Sequence, residues 1–172
     1  MPAGQPGRRL PAREAQALHC LGQSHRALGA YPAAADAYRQ AVTISTDLGD
    51  RLTATHAACW LGDVLVRQGE HHTGRRLLAQ SLWAYREFGI LWGEAATLYA
   101  LAEEQLTADR PALARRRAET AVRLWRQIGS HTWLAVALDP PPLPGPTTRP
   151  RSCGGPERAS GVRLHSPGFT TS

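Results

Sequence analysis

The sequence predicts an all-α protein, a solenoid of helical hairpins with about three repeats, a truncated fourth and a disordered tail. Three observations carry that prediction. The 172 residues are 42% apolar but only 6% aromatic, with alanine the commonest type; such a core packs as close helices rather than as a sheet. The chain repeats itself at a forty-residue period. Within each copy, apolar residues recur at the i, i+3, i+4, i+7 spacing of an amphipathic helix.

The repeat needs no gaps. Leu21-Gly22, Leu61-Gly62 and Leu101-Ala102 superpose, as do Gly29, Gly69 and Asp109. Leu48-Gly49-Asp50, Phe88-Gly89-Ile90 and Ile128-Gly129-Ser130 share a second register. Ala34, Gly74 and Ala114 share a third.

The elements follow in order. Residues 1–12 hold three prolines and no apolar stripe, so a disordered N-terminal segment is expected, with the repeat domain spanning 13–138. Helices are predicted near 13–28, 32–47, 52–68, 72–88, 92–107 and 111–128, with a seventh from His131. In the third of these, Ala54, Ala57, Ala58, Leu61, Val64 and Leu65 make the apolar stripe; Asp50 is the expected N-cap and Gly69 the residue past the end. In the sixth, Ala114, Ala118, Ala121, Leu124, Trp125 and Ile128 do the same, with Asp109 and Pro111 marking its start and Gly129 its stop. Gly22, Gly62 and Ala102 fall mid-helix, where glycine costs about 1 kcal/mol relative to alanine. A cost paid at one repeat position predicts a neighbouring helix passing too close for a side chain. After Leu138, Asp139 and three consecutive prolines stop the helix; residues 139–172 contain eight prolines and read as a disordered tail.

These features resemble the tetratricopeptide repeat, in which two antiparallel helices alternate. That family carries a small residue eight into helix A and small, large and small positions on helix B. The residues that carry the likeness are Leu18, Leu21, Gly22, Tyr31, Ala34, Tyr38 and Ala41 in the first copy. In the second they are Ala58, Leu61, Gly62, Gly74, Leu78 and Ser81, and in the third Leu98, Leu101, Ala102, Ala114, Ala118 and Ala121. The family's usual period is about 34 residues. The longer form looks like the repeat segments of multidomain bacterial regulators, the antibiotic regulatory proteins and signal-transduction ATPases. The resemblance spans residues 13–138 and implies a module whose concave face binds a protein or peptide. No G-x-x-x-x-G-K-[ST] loop occurs, so no ATP site is carried over.

Composition narrows the classes. No apolar run approaches the length of a membrane span, and the first ten residues lack the apolar stretch of a signal peptide. The net charge of +6 is thinly spread, +2 in each of residues 1–10, 11–138 and 139–172, which argues against direct nucleic-acid binding. Every formal cation is Arg and Asn is absent too, as a high-GC bacterial genome would produce. Three cysteines, Cys20, Cys59 and Cys153, without a CxxC spacing fit a reducing cytoplasm.

Candidate chemistry is sparse. His56, Cys59 and Asp63 lie on one face of a helix, and His19 occupies the repeat position of Cys59. These four suit zinc by type, and a small metal-dependent protein is the alternative reading, though no motif spacing supports it. His71-His72 read as solvated turn residues, and Arg115-Arg116-Arg117 as a solvated basic face. Glu103 and Glu104 point in different directions, so no opposed carboxylate pair is expected. No nucleophile–base pair appears, and no enzyme activity or cofactor is expected. The groove positions implied by the resemblance are Gln16, His19, Gln23 and Arg26; His56, Cys59, Asp63 and Arg67; and Ala96, Tyr99, Glu103 and Thr107. The expected role is a non-catalytic interaction module of a transcriptional or signalling regulator. A PPLP run at 141–144 is a weaker candidate for recognition by a proline-binding module. The short last helix, carrying Trp133 and Leu134, is expected to dock near Trp125 and Ile128 and to leave an apolar end that drives self-association. A fragment of a longer regulator is a further expectation.

Overall fold

Six turns set twenty residues apart organise the chain. Gly29, Gly49, Gly69, Gly89, Asp109 and Gly129 all have positive φ, from 54° to 89°. Each ends a helix in the left-handed conformation and lets the next backbone N–H reach back to the carbonyl five residues earlier. The bonds Ala30 to His25, Asp50 to Ser45, Glu70 to Leu65, Ile90 to Tyr85, Arg110 to Gln105 and Ser130 to Trp125 are all 2.8–2.9 Å long. Asp109 is the one non-glycine among them; a short polar side chain is among the few that tolerate this region.

The computed structural model describes residues 6–138. Between those turns run α1 (Pro6–Ala27), α2 (Tyr31–Asp47), α3 (Arg51–Arg67), α4 (His71–Phe88), α5 (Leu91–Thr107), α6 (Pro111–Gln127) and α7 (His131–Leu138). Each helix packs against the next in sequence. The odd-numbered helices also touch one another, α1 with α3 and α3 with α5, which makes them the inner layer of the stack. The architecture is all-helical among the described residues. The PPLP run, Cys153 and the expected tail 139–172 lie outside them, as do residues 1–5.

Two expectations about the ends of elements need correcting. The first helix begins at Pro6, not near residue 13, and runs through Pro11. Proline removes one N–H and one backbone bond but does not by itself end a helix close to its N-terminus. Asp109 does not start α6; it is the left-handed turn residue, and Arg110 precedes the helix without a side-chain cap. Asp50, by contrast, caps α3 as expected: its carboxylate accepts from the Thr53 N–H at 3.0 Å and from the Thr53 hydroxyl at 2.6 Å.

The small mid-helix residues mark the close crossings. A Cβ built on Gly22 would lie 2.6 Å from the Tyr38 ring, and one on Gly62 would lie 3.0 Å from the Gly74 carbonyl oxygen. Ala34, Gly74 and Ala114 are all buried at the complementary points. Large side chains fill the space left between hairpins: Tyr38, Leu78, Tyr85 and Trp125 have essentially no exposed surface.

Candidate functional site

Repetition places like positions side by side along the inner layer, and there charges alternate across three helices. Asp63 on α3 is only 4% exposed. It accepts from Arg26 Nε of α1 at 2.6 Å and from Arg67 Nε, one turn along its own helix, at 3.2 Å. Arg67 then donates through Nη2 to Glu103 Oε2 of α5 at 2.8 Å. The result is a continuous chain, Arg26–Asp63–Arg67–Glu103, spanning α1, α3 and α5. Burial opposes the charge on Arg67, but Asp63 and Glu103 outweigh it and raise its pKa. Burial pushes the Glu103 carboxyl above its ordinary range, and Arg67 offsets only part of that. Charge-assisted bonds of this kind hold register between stacked helices.

Aromatic rings flank the chain. The Arg26 guanidinium sits 4.6 Å from the centre of the Trp60 ring, within range of a cation–π contact. Trp60 on α3, Trp92 on α5 and Trp133 on α7 lie 6.0–6.3 Å from one another. Trp133 also stacks on Trp125 of α6 at 5.7 Å, with ring planes 17° apart. Trp133 therefore reaches past α6 to α3. The expected docking of α7 beside Trp125 is present, but Trp133 is half-buried rather than part of an open end. Ile128, in the turn before α7, is 38% exposed. Sequence reasoning did not find this cluster, because its members occupy no common repeat position.

Among the groove residues expected from the sequence, Arg26, Asp63, Arg67 and Glu103 come together as described. Tyr99 is half-buried on the same layer, its ring 5.5 Å from that of Trp125. Gln16, Gln23 and Thr107 are exposed. Cys59, His19, Asp63 and Ala96 are corrections: all four are buried, so none presents a side chain to an open groove. The period assigns a helix face but not the neighbour that covers it. His19 packs on the Tyr38 ring at 5.7 Å. Half-buried His56 lies 5.5 Å from Tyr85 and 6.2 Å edge-on to Trp92.

Cys59 sits under α5, its Sγ 3.2 Å from Thr97 Oγ1. The Thr97 hydroxyl donates to the Gly93 carbonyl at 2.7 Å, which leaves its oxygen to accept from the thiol. Cys59 is accordingly the donor, and burial pushes its pKa up to about 12. A protonated, hydrogen-bonded thiol is not poised as a metal ligand. Burial also depresses both imidazoles, and Asp63 is taken by two arginines. Among the described residues, no three His, Cys, Asp or Glu side chains converge on a point that could hold an ion. The zinc set His19, His56, Cys59 and Asp63 is therefore not assembled.

His71 and His72 are exposed as expected, whereas Arg117 departs from the reading of its run as a solvated face. His72 and Arg117 line a cleft of about 400 Å³ together with Arg75, Arg76, Ala79, Leu82 and Leu101. Arg117 is half-buried and donates to the Leu101 carbonyl at 3.4 Å. Arg115 and Arg116 do remain exposed, Arg115 pairing with Glu119 at 2.7 Å.

No family model and no curated protein matches this sequence. No helix among the described residues is long and apolar enough to cross a membrane.

Proposed function

We propose that the chain is a non-catalytic protein-interaction module of tetratricopeptide type, the repeat segment of a bacterial regulator acting in the cytoplasm. The observation that supports this reading is the inner-layer chain Arg26–Asp63–Arg67–Glu103. It carries alternating charge across three helices, and Arg26, Arg67 and Glu103 each keep part of their side chain exposed. A partner segment lying along it would exchange ion pairs with those exposed edges, with Gln16 and Gln23 as neutral contacts beside them. Binding of that kind is sensitive to salt and to charge sign.

The test is site-specific photo-cross-linking in cells. A photoreactive residue at Gln23 should capture a discrete protein that the same probe at Gln40, on the exposed side of α2, does not. Glu103→Arg should abolish the capture without loss of helical content. Equal capture from both positions, or capture indifferent to Glu103→Arg, would remove the inner face as the binding surface. Self-association through the last hairpin is a second element of the proposal, resting on the exposure of Ile128. Sedimentation over a range of concentrations should show association that Ile128→Glu abolishes; a parent that is monomeric throughout sinks this element.

A further inference from the structure

The cleft between α4, α5 and α6 is peculiar to this part of the chain: forty residues earlier, Pro32, Ala35, Asp36 and Leu77 stand in place of its basic residues His72, Arg75, Arg76 and Arg117. His72, Arg75, Arg76 and Ala79 follow one another on one face of α4, at separations that align on a helix. Arg117 faces them from α6, and Leu101 of α5 forms the floor with Leu82 of α4.

Charge in the cleft is one-sided. Among the described residues, the carboxylate paired with it is Glu104, 1% exposed, with Oε1 3.5 Å from Arg75 Nη1. The Gln105 side-chain amide donates to its other oxygen. Glu104 is thus fixed from below and holds Arg75 in place. Among the described residues, Arg76 and Arg117 have no carboxylate within ion-pair distance. Arg117 is partly desolvated: burial lowers its pKa from the ordinary arginine range, the Glu104 charge opposes that, and the neighbouring Arg75 charge adds to it. Arg117 is half-buried beside apolar walls with no ion pair of its own, which costs more than full solvation, and Arg76 stands exposed and equally unpaired across from it. A bound anion would meet both guanidinium groups at once.

We propose that this cleft binds a small organic anion. Its acidic head is held by Arg76 and Arg117, with Arg75 and His72 beside them, and its apolar body lies against Ala79, Leu82 and Leu101. The volume suits a small molecule, and guanidinium forks suit a phosphate or carboxylate head. A bare inorganic ion would leave the apolar wall unused.

Phenyl phosphate, benzoate and inorganic phosphate are the probes, titrated into the full chain by calorimetry and by amide chemical-shift mapping. Phenyl phosphate or benzoate should bind at one saturable site with shifts centred on α4, Leu101 and Arg117. Whichever of the two binds tighter identifies the head group. Inorganic phosphate should bind at least about tenfold more weakly than phenyl phosphate. Arg76→Gln and Arg117→Gln should each weaken binding about tenfold, and Arg123→Gln, an exposed arginine of α6 outside the cleft, should not. Arg76 is exposed, so its variant tests the site even if Arg117→Gln perturbs folding. Absence of saturable binding, equal weakening by Arg123→Gln, or inorganic phosphate binding as tightly as phenyl phosphate would each overturn the proposal.

Discussion

Gly62 and Gly74 face each other across the α3–α4 crossing so closely that a Cβ on either would press against the carbonyl oxygen of the other. The clearances are 3.0 Å from Gly62 and 2.6 Å from Gly74. Alanine in place of a mid-helix glycine gains about 1 kcal/mol from propensity, while overpacking costs roughly 1–3 kcal/mol. The tighter site should lose more. Gly74→Ala is expected to destabilise by about 1–2 kcal/mol, Gly62→Ala by less, and Gly62→Leu by more than either. Urea denaturation of the three variants checks that order. A stabilised Gly74→Ala would mean that the helices separate easily and that the glycines do not set their distance.

Much of this architecture was legible because its causes are local. A left-handed turn residue every twenty positions and an apolar stripe between turns dictate helix, stop, helix. What was not legible depends on neighbours. The period identified the face shared by His19 and Cys59, but only the next helix determines that Tyr38 and Thr97 cover them. The three prolines of residues 1–12 read as disorder, because the cost of each lost backbone bond is visible in sequence, whereas Pro11 lies near enough to the start of α1 to be tolerated there. The tryptophan cluster and the arginine cleft join residues at unrelated repeat positions, so no periodicity announces them. Arg26, Asp63, Arg67 and Glu103 were found as individual candidates; their pairing into one chain follows from how far a guanidinium reaches between stacked helices.

Asp63 has a buried carboxylate between two half-buried guanidinium groups; among the described residues, removing it leaves Arg26 without an ion-pair partner and Arg67 with Glu103 alone. Breaking a fully buried pair costs about 3–5 kcal/mol; solvent at Arg26 and Arg67 reduces that. Asp63→Ala is expected to cost about 2 kcal/mol, and Arg26→Ala about 1 kcal/mol or less. The double variant should be less destabilised than the sum of the singles. Chemical denaturation of the full cycle checks this, and strict additivity would show that the 2.6 Å contact carries no coupling.

His19 and His56 titrate with a defined sign. Burial lowers both imidazoles, the charge of His56 adding to the effect on His19 while Asp50 opposes the effect on His56. The unfolded chain takes up protons near its ordinary pKa of about 6.5, whereas the folded chain resists. Stability is therefore fully present above pH 6.5 and declines as pH falls below it, until the folded-state pKa values are reached. Glu103 works in the opposite sense, because its folded pKa is raised. Comparison with a His19→Leu, His56→Leu double variant isolates the histidine part. The parent should lose stability between pH 6.5 and 5 relative to that variant. Parallel curves would show that neither histidine is held neutral by the fold.

Trp133 ties the last helix to the rest of the stack. A helix of eight residues has no stability of its own in water, so α7 persists only through what it touches. Its anchors are Trp133, stacked on Trp125 at 5.7 Å and on Trp60 at 6.1 Å, with Leu134 and Ala137 packed beside them. Trimming a fully buried tryptophan to alanine costs about 3–5 kcal/mol; half-buried Trp133 should cost about 2–3 kcal/mol. The loss should appear first as local opening rather than global unfolding. In Trp133→Ala, the amides of α7 should exchange with solvent at near-coil rates while those of α2 and α3 keep most of their protection. The near-ultraviolet circular dichroism from stacked indoles should fall, and Trp60 fluorescence should shift to the red as its covering ring is removed. Trp83→Ala is the control, since that side chain is 64% exposed on α4 and should change none of these signals. Unaltered protection of α7 in Trp133→Ala would mean that Leu134 and Ala137 suffice to hold the helix.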